Sequence, residues 1–147
     1  MMSLSAADHN SDTEYLLNPY QILLVGLEAA GIFTPLIADL PLPTRVVHAA
    51  TGEEALNWLQ EKPVGVLVSD HFLADMTGVD LIKTVRRLGL GDVYTILLIA
   101  DEVYGRVLAL NSRFAIDSYL TPTQNHFFNL SLLRQALNGR SPHLLKR

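Results

Sequence analysis

The sequence predicts an α/β fold in which a five-stranded parallel sheet lies between two layers of helices. Short apolar runs alternate with segments of helical apolar spacing five times along the chain, which is the pattern of parallel strands joined by helical crossovers. Several runs are apolar at nearly every position, as in Val64–Ser69 (VGVLVS), and this is typical of strands buried on both faces. The length of 147 residues corresponds to one domain.

The predicted strands are short apolar runs that end in turn residues or at the start of a helical pattern. Because the carboxyl ends of parallel strands meet at one edge of the sheet, ligands of such folds bind there, and we expect the functional residues in the loops that follow the strands. The third strand ends directly at Asp70. In order, the strands are Gln21–Leu27, Thr44–Ala50, Val64–Ser69, Tyr94–Ala100 and Ala115–Leu120.

Five helical patterns follow these strands. The first is weak, and Pro35 interrupts it. A capping box begins the second, because the Thr51 hydroxyl can accept a hydrogen bond from the Glu54 amide while the Glu54 side chain reaches back. Gly89 ends the third. In order, the helices are residues 28–39, the segment between Thr51 and Pro63, Gly78–Leu88, Glu102–Asn111 and Asn125–Asn138.

The two ends of the chain differ from this alternating pattern. Residues 1–18 are polar and lack periodicity, so we expect a flexible N-terminal tail before a domain over residues 19–138. Residues 139–147 contain Gly and Pro and are interpreted as a C-terminal tail or a linker stub that leads to an output domain.

Composition excludes several classes of function. Eleven Lys and Arg against fifteen Asp and Glu give a net charge of −4 with no dense basic run, which disfavours direct nucleic-acid binding. The absence of cysteine removes disulfides, thiolate metal sites and cysteine catalysis, and it suits a cytoplasmic protein. No apolar stretch approaches the ~18 residues of a membrane span. The five dispersed histidines and the absence of acyl-transfer, nucleotide-hydrolysis or dinucleotide motifs predict a protein that is not an enzyme.

The segment VLVSDHFLADMTGVDLIKTVRR resembles the centre of a receiver domain of the two-component response-regulator family. In that family a strand ends in an aspartate that accepts phosphate in a phosphorelay, and a glycine follows eight positions later, as Asp70 and Gly78 do here. TGEEALNWLQEKPVGVLVSD and AIDSYLTP resemble neighbouring parts of the same domain. The resemblance implies a three-layer, doubly wound, flavodoxin-like sheet of strand order 2-1-3-4-5, with two helices on one face and three on the other.

Most of the phosphotransfer residues of that family are missing. A working receiver uses two acids after the first strand to hold Mg²⁺, a hydroxyl after the fourth and a lysine after the fifth, because the transferred phosphoryl group gathers negative charge. The matching positions here are Gly26 and Leu27, then Ile99, then Pro122 or, with one deletion, Thr121. The chain therefore resembles an atypical, or pseudo-, receiver, and we expect no cofactor and little or no Mg²⁺ binding.

Three interpretations of Asp70 stay open. It caps a loop or bonds backbone at the sheet edge, and the domain is then a non-enzymatic signalling module that works through protein contacts. It accepts phosphate in an unusual pocket, with Glu28 as the second Mg²⁺ ligand. Or the vacated pocket senses a small molecule on an apolar floor of Gly26, Leu27 and Ile99. Asp75 and Asp101 either join Asp70 and Glu28 in one acidic cluster or remain solvated loop residues.

The resemblance also implies a contact surface. Tyr119 matches the family's switch aromatic, and with Ile99 in place of the hydroxyl it is fixed inward on Ile99, outward at an interface, or simply half-buried. Helix 102–111, strand 115–120 and helix 125–138 form the face at which we expect a protein partner or a homodimer. That face offers Tyr104, Arg106, Arg113, His126 and Arg134.

Overall fold

The computed structural model describes residues 21–40, 44–90, 92–99, 115–121 and 125–139. The predicted helix Glu102–Asn111 lies outside these ranges, as do both predicted tails apart from Gly139. The boundaries of the predicted domain therefore remain a prediction. No helix among the described residues has the length and apolar character needed to cross a membrane.

The described residues form five strands and four helices that alternate in the predicted way. In chain order they are β1 (Gln21–Val25), α1 (Leu27–Ala38), β2 (Arg45–Ala49), α2 (Gly52–Glu61), β3 (Val66–Ser69), α3 (Gly78–Leu88), β4 (Tyr94–Leu98), β5 (Ser118–Leu120) and α4 (His126–Gly139). Every strand pair is parallel, and the order across the sheet is β2-β1-β3-β4-β5. The predicted fold class and strand order are confirmed.

Side chains of alternate strand residues enter two separate cores, one on each face of the sheet. Leu23, Leu67 and Leu97 pack against apolar residues of α2 and α3. Ile22, Val68 and Ile96 pack against α1 and α4. The central strands β1, β3 and β4 are buried along their whole length, which explains their continuous apolar sequence.

Helix α1 runs without a break through Pro35, so the predicted interruption is wrong. Proline removes the hydrogen bond from its own nitrogen to the carbonyl four residues earlier, which here belongs to Gly31. Both residues are exposed, so water can bond that carbonyl while Phe33 and Leu36 hold the other side of the helix in the core. Tertiary burial therefore outweighs the local cost of the proline.

We expect two substitutions in α1 to stabilise the protein. Gly31→Ala should raise the free energy of unfolding by about 0.5–1 kcal/mol, because alanine has the higher helix propensity. A Cβ added at Gly31 has nothing within 4 Å, so no clash opposes the gain. Pro35→Ala should raise it by about 2 kcal/mol, since the regained hydrogen bond outweighs the loss of proline's restriction of the unfolded chain. Urea unfolding midpoints measure both, and a lower midpoint for either would contradict this account.

A buried polar brace of Arg86, Thr95 and Asp117 joins α3 to the starts of β4 and β5. The Asp117 Oδ2 atom accepts from Arg86 Nη2 at 2.9 Å and from the Thr95 backbone N–H at 2.9 Å. The Arg86 Nε atom donates to the Ala115 carbonyl at 3.0 Å. Burial lowers the pKa of the Arg86 guanidinium, and Asp117 opposes that effect.

The brace also explains why β5 is shorter than predicted. The predicted strand began at Ala115, whereas β5 begins at Ser118. The Asp117 carboxylate takes the Thr95 amide, and the Asp117 amide donates to the Thr95 carbonyl and hydroxyl oxygens. Hydrogen bonds to the side chains of Asp117 and Thr95 therefore replace part of the regular strand pairing before Ser118.

Candidate functional site

The carboxyl edge of the sheet brings the ends of β1 and β3 together. The predicted first strand included Leu27, but β1 ends at Val25 because Gly26 has φ 101° and turns the chain into α1. The Gly26 amide still donates to the Ala49 carbonyl of β2 at 3.0 Å. Asp70 follows β3, and its amide donates to the Val25 carbonyl at 2.9 Å. Asp70 thus lies beside the start of α1.

Asp70 caps helix α1 with its carboxylate. The Oδ1 atom accepts from the Ala29 amide at 2.7 Å, and the Oδ2 atom accepts from the Glu28 amide at 3.1 Å. The N-cap residue itself, Gly26, has no side chain for this task. Amides of the first turn need an acceptor, and a carboxylate also suits the positive end of the helix dipole. Asp70 is only 7% exposed, so these are buried, charge-assisted hydrogen bonds.

The space beside Gly26 is filled by Asp70. A Cβ built at Gly26 would lie 2.2 Å from the Asp70 Oδ2 atom and 2.3 Å from its Cγ atom. A side chain at residue 26 is therefore incompatible with Asp70 in this position.

The predicted apolar floor of Gly26, Leu27 and Ile99 is wrong for Leu27. That side chain is 90% exposed because Leu27 is the first residue of α1 and lies on its solvent side. Ile99 is 4% exposed and belongs to the core shared with α2 and α3.

Glu28 contributes its backbone amide to Asp70, while its side chain is exposed. Over the described ranges no group of three or more His, Asp or Glu side chains is placed to hold a metal ion. Asp101, the fourth member of the predicted acidic cluster, lies outside those ranges. The expectation of little or no Mg²⁺ binding remains a prediction.

Residues 70–77, here called the capping segment, cap the N-termini of three helices. Asp70 caps α1. The two Asp75 carboxylate oxygens accept from the Gly52 and Glu53 amides of α2, each at 2.9 Å. The Thr77 hydroxyl accepts from the Asp80 amide of α3 at 3.1 Å. The Asp75 carboxylate therefore caps helix α2.

The structure confirms the predicted capping box at the start of α2, where Asp75 also accepts hydrogen bonds. The Thr51 hydroxyl accepts from the Glu54 amide at 3.1 Å. The Glu54 Oε1 atom accepts from the Ala50 amide at 2.8 Å, one residue before the N-cap. The first turn of α2 thus has both local and long-range acceptors.

Backbone bonds hold the capping segment in a tight turn. The Leu73 amide donates to the Met76 carbonyl at 3.0 Å, and the Gly78 amide donates to the His71 carbonyl at 2.7 Å. Phe72 pairs with Thr77 in an isolated bridge, yet its side chain is 75% exposed. The His71 ring contacts that of Phe72 at a centroid distance of 4.3 Å, and burial lowers the pKa of the His71 imidazole.

The capping role of Asp75 should appear in the acid limb of the stability curve. Backbone hydrogen bonds from Gly52 and Glu53 lower the Asp75 pKa below its ordinary value of 3.8. A lowered folded-state pKa gives stability that is fully present above the ordinary pKa and fades as the pH falls through the folded-state value. We expect Asp75→Asn to flatten the fall in stability below pH 3.8, as measured by urea unfolding across pH. An unchanged slope would contradict the cap.

The expected switch and contact residues are described only in part. Tyr119 packs, half-buried, on the core that contains Ile99. Its hydroxyl is buried with no hydrogen-bond partner among the described residues, and desolvation raises the pKa of the phenol. Thr121 is 7% exposed at the expected lysine position. Outside the described ranges lie Pro122, Tyr104, Arg106 and Arg113.

Helix α4 shows two of the expected contact residues. The His126 Nε2 atom lies 3.2 Å from Asp39 Oδ2, at the C-terminal end of α1, and both side chains are largely exposed. Arg134 is exposed. The contact face and the homodimer remain predictions, since much of that face is not described.

Comparison with solved structures supports the fold. No protein-family model matches the chain, and no curated protein matches it. A solved signal receiver domain of an HD domain-containing protein from Pseudomonas fluorescens Pf-5 is 26% identical, with a TM-score of 0.70 over 83% of this chain and 89% of that chain. A CheY-like response regulator receiver domain protein from Methanospirillum hungatei JF-1 is 22% identical, with a TM-score of 0.65 over 81% and 94%.

A third similar structure is the receiver domain of the Francisella response regulator 1452, at 22% identity and a TM-score of 0.68 over 83% of this chain and 98% of that one. Each neighbour is matched over nearly its whole length, so the likeness covers an entire domain. Together with the parallel sheet of order β2-β1-β3-β4-β5, these matches identify the chain as a receiver-like domain.

Proposed function

We propose that this domain is a non-enzymatic signalling module that works through contacts with a protein partner or output domain and does not use phosphorylation. The observation that carries the proposal is the bonding of Asp70. Both of its carboxylate oxygens accept amides of α1, at 2.7 and 3.1 Å. A phospho-acceptor needs one of those oxygens for attack on phosphorus, whereas here each holds the start of a helix.

Charge supports the same proposal. An acyl phosphate at Asp70 would carry about −2 at a buried residue, in place of the −1 of the carboxylate. The N-terminus of α1 supplies roughly +0.5. Among the described residues at this edge, 26–29, 50–54, 70–80, 99 and 121, there is no Lys or Arg, and the acid positions for Mg²⁺ hold Gly26 and Leu27. The remaining charge would be unbalanced, which disfavours an acyl phosphate at Asp70.

Treatment with acetyl phosphate and with beryllofluoride, each with Mg²⁺, tests the proposal directly. We expect no gain in mass and no NMR shifts centred on Asp70. A gain of one phosphoryl group that is lost in Asp70→Asn would overturn the proposal and favour the phospho-accepting alternative. The same spectra without Mg²⁺ serve as the control for non-specific acetylation and salt effects.

Substitution of Asp70 separates its structural role from a phosphate-accepting role. Asp70→Asn should lower the free energy of unfolding by about 1–2 kcal/mol, because an amide offers one acceptor oxygen and turns a donor towards the other backbone N–H. We expect signalling to remain unchanged in this variant, because the proposal gives the Asp70 carboxylate no part in phosphate transfer. Chemical denaturation measures the stability, and a reporter or binding assay measures the signalling.

The reverse pattern would contradict the proposal. A variant Asp70→Asn with unchanged stability and abolished signalling would identify Asp70 as a phosphate acceptor. Asp80→Asn is the matched control, because Asp80 is exposed in the first turn of α3 and, among the described residues, its carboxylate accepts no hydrogen bond from α1.

A further inference from the structure

Two large apolar side chains are exposed on either side of Asp70. Leu27 is 90% exposed and precedes the Glu28 amide that bonds Asp70, and Phe72 is 75% exposed two residues after Asp70. Neither side chain serves the caps or the cores. Both stand on rigid supports, the first turn of α1 and the bonded capping segment. Rigid exposed apolar side chains of this kind are typical of anchors at a contact surface.

The described part of the same edge is acidic. The described residues 26–29, 50–54 and 70–80 include six carboxylates and neither Lys nor Arg. Acids near helix N-termini are stabilised by the helix dipole, which accounts for the carboxylates but leaves Leu27 and Phe72 unexplained. The surface formed by Leu27, Phe72 and the exposed acids Glu28, Glu53 and Asp75 is called here the edge patch. Its complement is a segment that is both apolar and basic.

Such a segment exists in this chain. Residues 140–147 (RSPHLLKR) contain Leu144 and Leu145, three Lys or Arg residues and no acid. We propose that this C-terminal segment docks on the edge patch of its own domain, with the two leucines on Leu27 and Phe72 and the basic residues facing the carboxylates. Leu144 and Leu145 follow Gly139, the last described residue, by five and six positions, so an extended connection brings them up to about 20 Å from the end of α4.

The tether makes docking effective although the contacts are few. Two leucines and some exposed ion pairs give weak binding between separate molecules. A short connection supplies an effective concentration of about millimolar, which raises the occupancy of a weak intramolecular contact. The contact covers the edge at which Asp70 lies. The inference does not depend on whether Asp70 accepts phosphate.

The absence of cysteine permits a clean test in the full chain. A nitroxide is attached to Ser141→Cys, and amide signals are compared before and after reduction of the label. We expect the amides of residues 28, 29 and 71–73 to lose most of their intensity with the active nitroxide. The loss should shrink in ~1 M salt, where the Debye length is about 3 Å. It should disappear with Leu144→Ser and Leu145→Ser, and with Leu27→Ala and Phe72→Ala, which change only exposed patch residues.

The matched control carries the same label at Ser3→Cys in the acidic N-terminal region, where we expect far less attenuation of these amides. Equal attenuation from both labels, no attenuation from the label at residue 141, or attenuation that survives the serine variants would each overturn the proposal. A mixture of labelled chain with separate ¹⁵N chain distinguishes a second copy. If attenuation in that mixture is as strong as in the single chain, the contact is intermolecular. That result would also overturn the proposal.

Discussion

Gly26→Ala should lower the free energy of unfolding by about 3–5 kcal/mol, as measured by chemical denaturation. Two effects add. Gly26 has φ 101°, a backbone conformation that L-residues with a side chain rarely adopt. The added Cβ would also lie 2.2 Å from the Asp70 Oδ2 atom, so the capping carboxylate would have to leave the amides of α1. The expected consequence is a loss of both the turn and the cap.

The same exchange at Gly31 is the control, because there a Cβ meets nothing within 4 Å and we expect a small gain in stability. A double-variant cycle with Asp70→Ala isolates the contact. Gly26→Ala should be less damaging in that background, since the carboxylate atoms are gone and only the backbone strain and the Asp70 Cβ remain. An identical loss in both backgrounds would show that the two residues do not interact.

Asp117→Ala should lower the free energy of unfolding by about 3–5 kcal/mol, because it leaves a buried cation without its partner. The Arg86 side chain is 19% exposed and that of Asp117 2%, so water replaces little of the lost interaction. The Thr95 amide would also lose the carboxylate that accepts its hydrogen bond. Chemical denaturation at neutral pH measures the effect.

Asp92→Ala is the matched control for the brace. Asp92 also acts on the Arg86 charge, but it is exposed. Its loss should change stability by no more than about 1 kcal/mol. Similar effects of the two alanine variants would mean that the brace contributes only long-range charge. Replacement of Arg86 and Asp117 together by apolar residues should recover part of the loss, since no unpaired charge remains.

The arrangement of strands and helices could be predicted from the sequence because burial imposes a period on it. Runs such as Tyr94–Leu98 are apolar throughout since both faces of the sheet are covered. The errors fall where a single residue acts through its backbone conformation or through tertiary contacts. Gly26 ends β1 early by its positive φ, and the Asp117 carboxylate replaces the ladder before β5. Neither effect has a periodic signature.

The candidate site, too, could be predicted from the sequence only in part. The spacing of Asp70 and Gly78 placed the aspartate correctly at the carboxyl edge of the sheet. The Thr77-x-x-Asp80 pattern before α3 could have identified that cap from sequence. The other two caps join residues that are 22 to 42 positions apart, Asp75 with α2 and Asp70 with α1. Only the fold brings those groups together, so no local pattern reveals them.

The capping segment limits how this chain can change in length. Surface loops usually tolerate insertions, because lengthening a flexible loop adds little to the entropic cost of closing it. Here the five-residue offset between Asp70 and Asp75 spans the distance between the first turns of α1 and α2, and Thr77 must then begin α3. An extra residue in this stretch would move at least one acceptor away from its amides. The eight residues therefore behave as a spacer of set length, although they lie in a loop that exposes Phe72 to solvent.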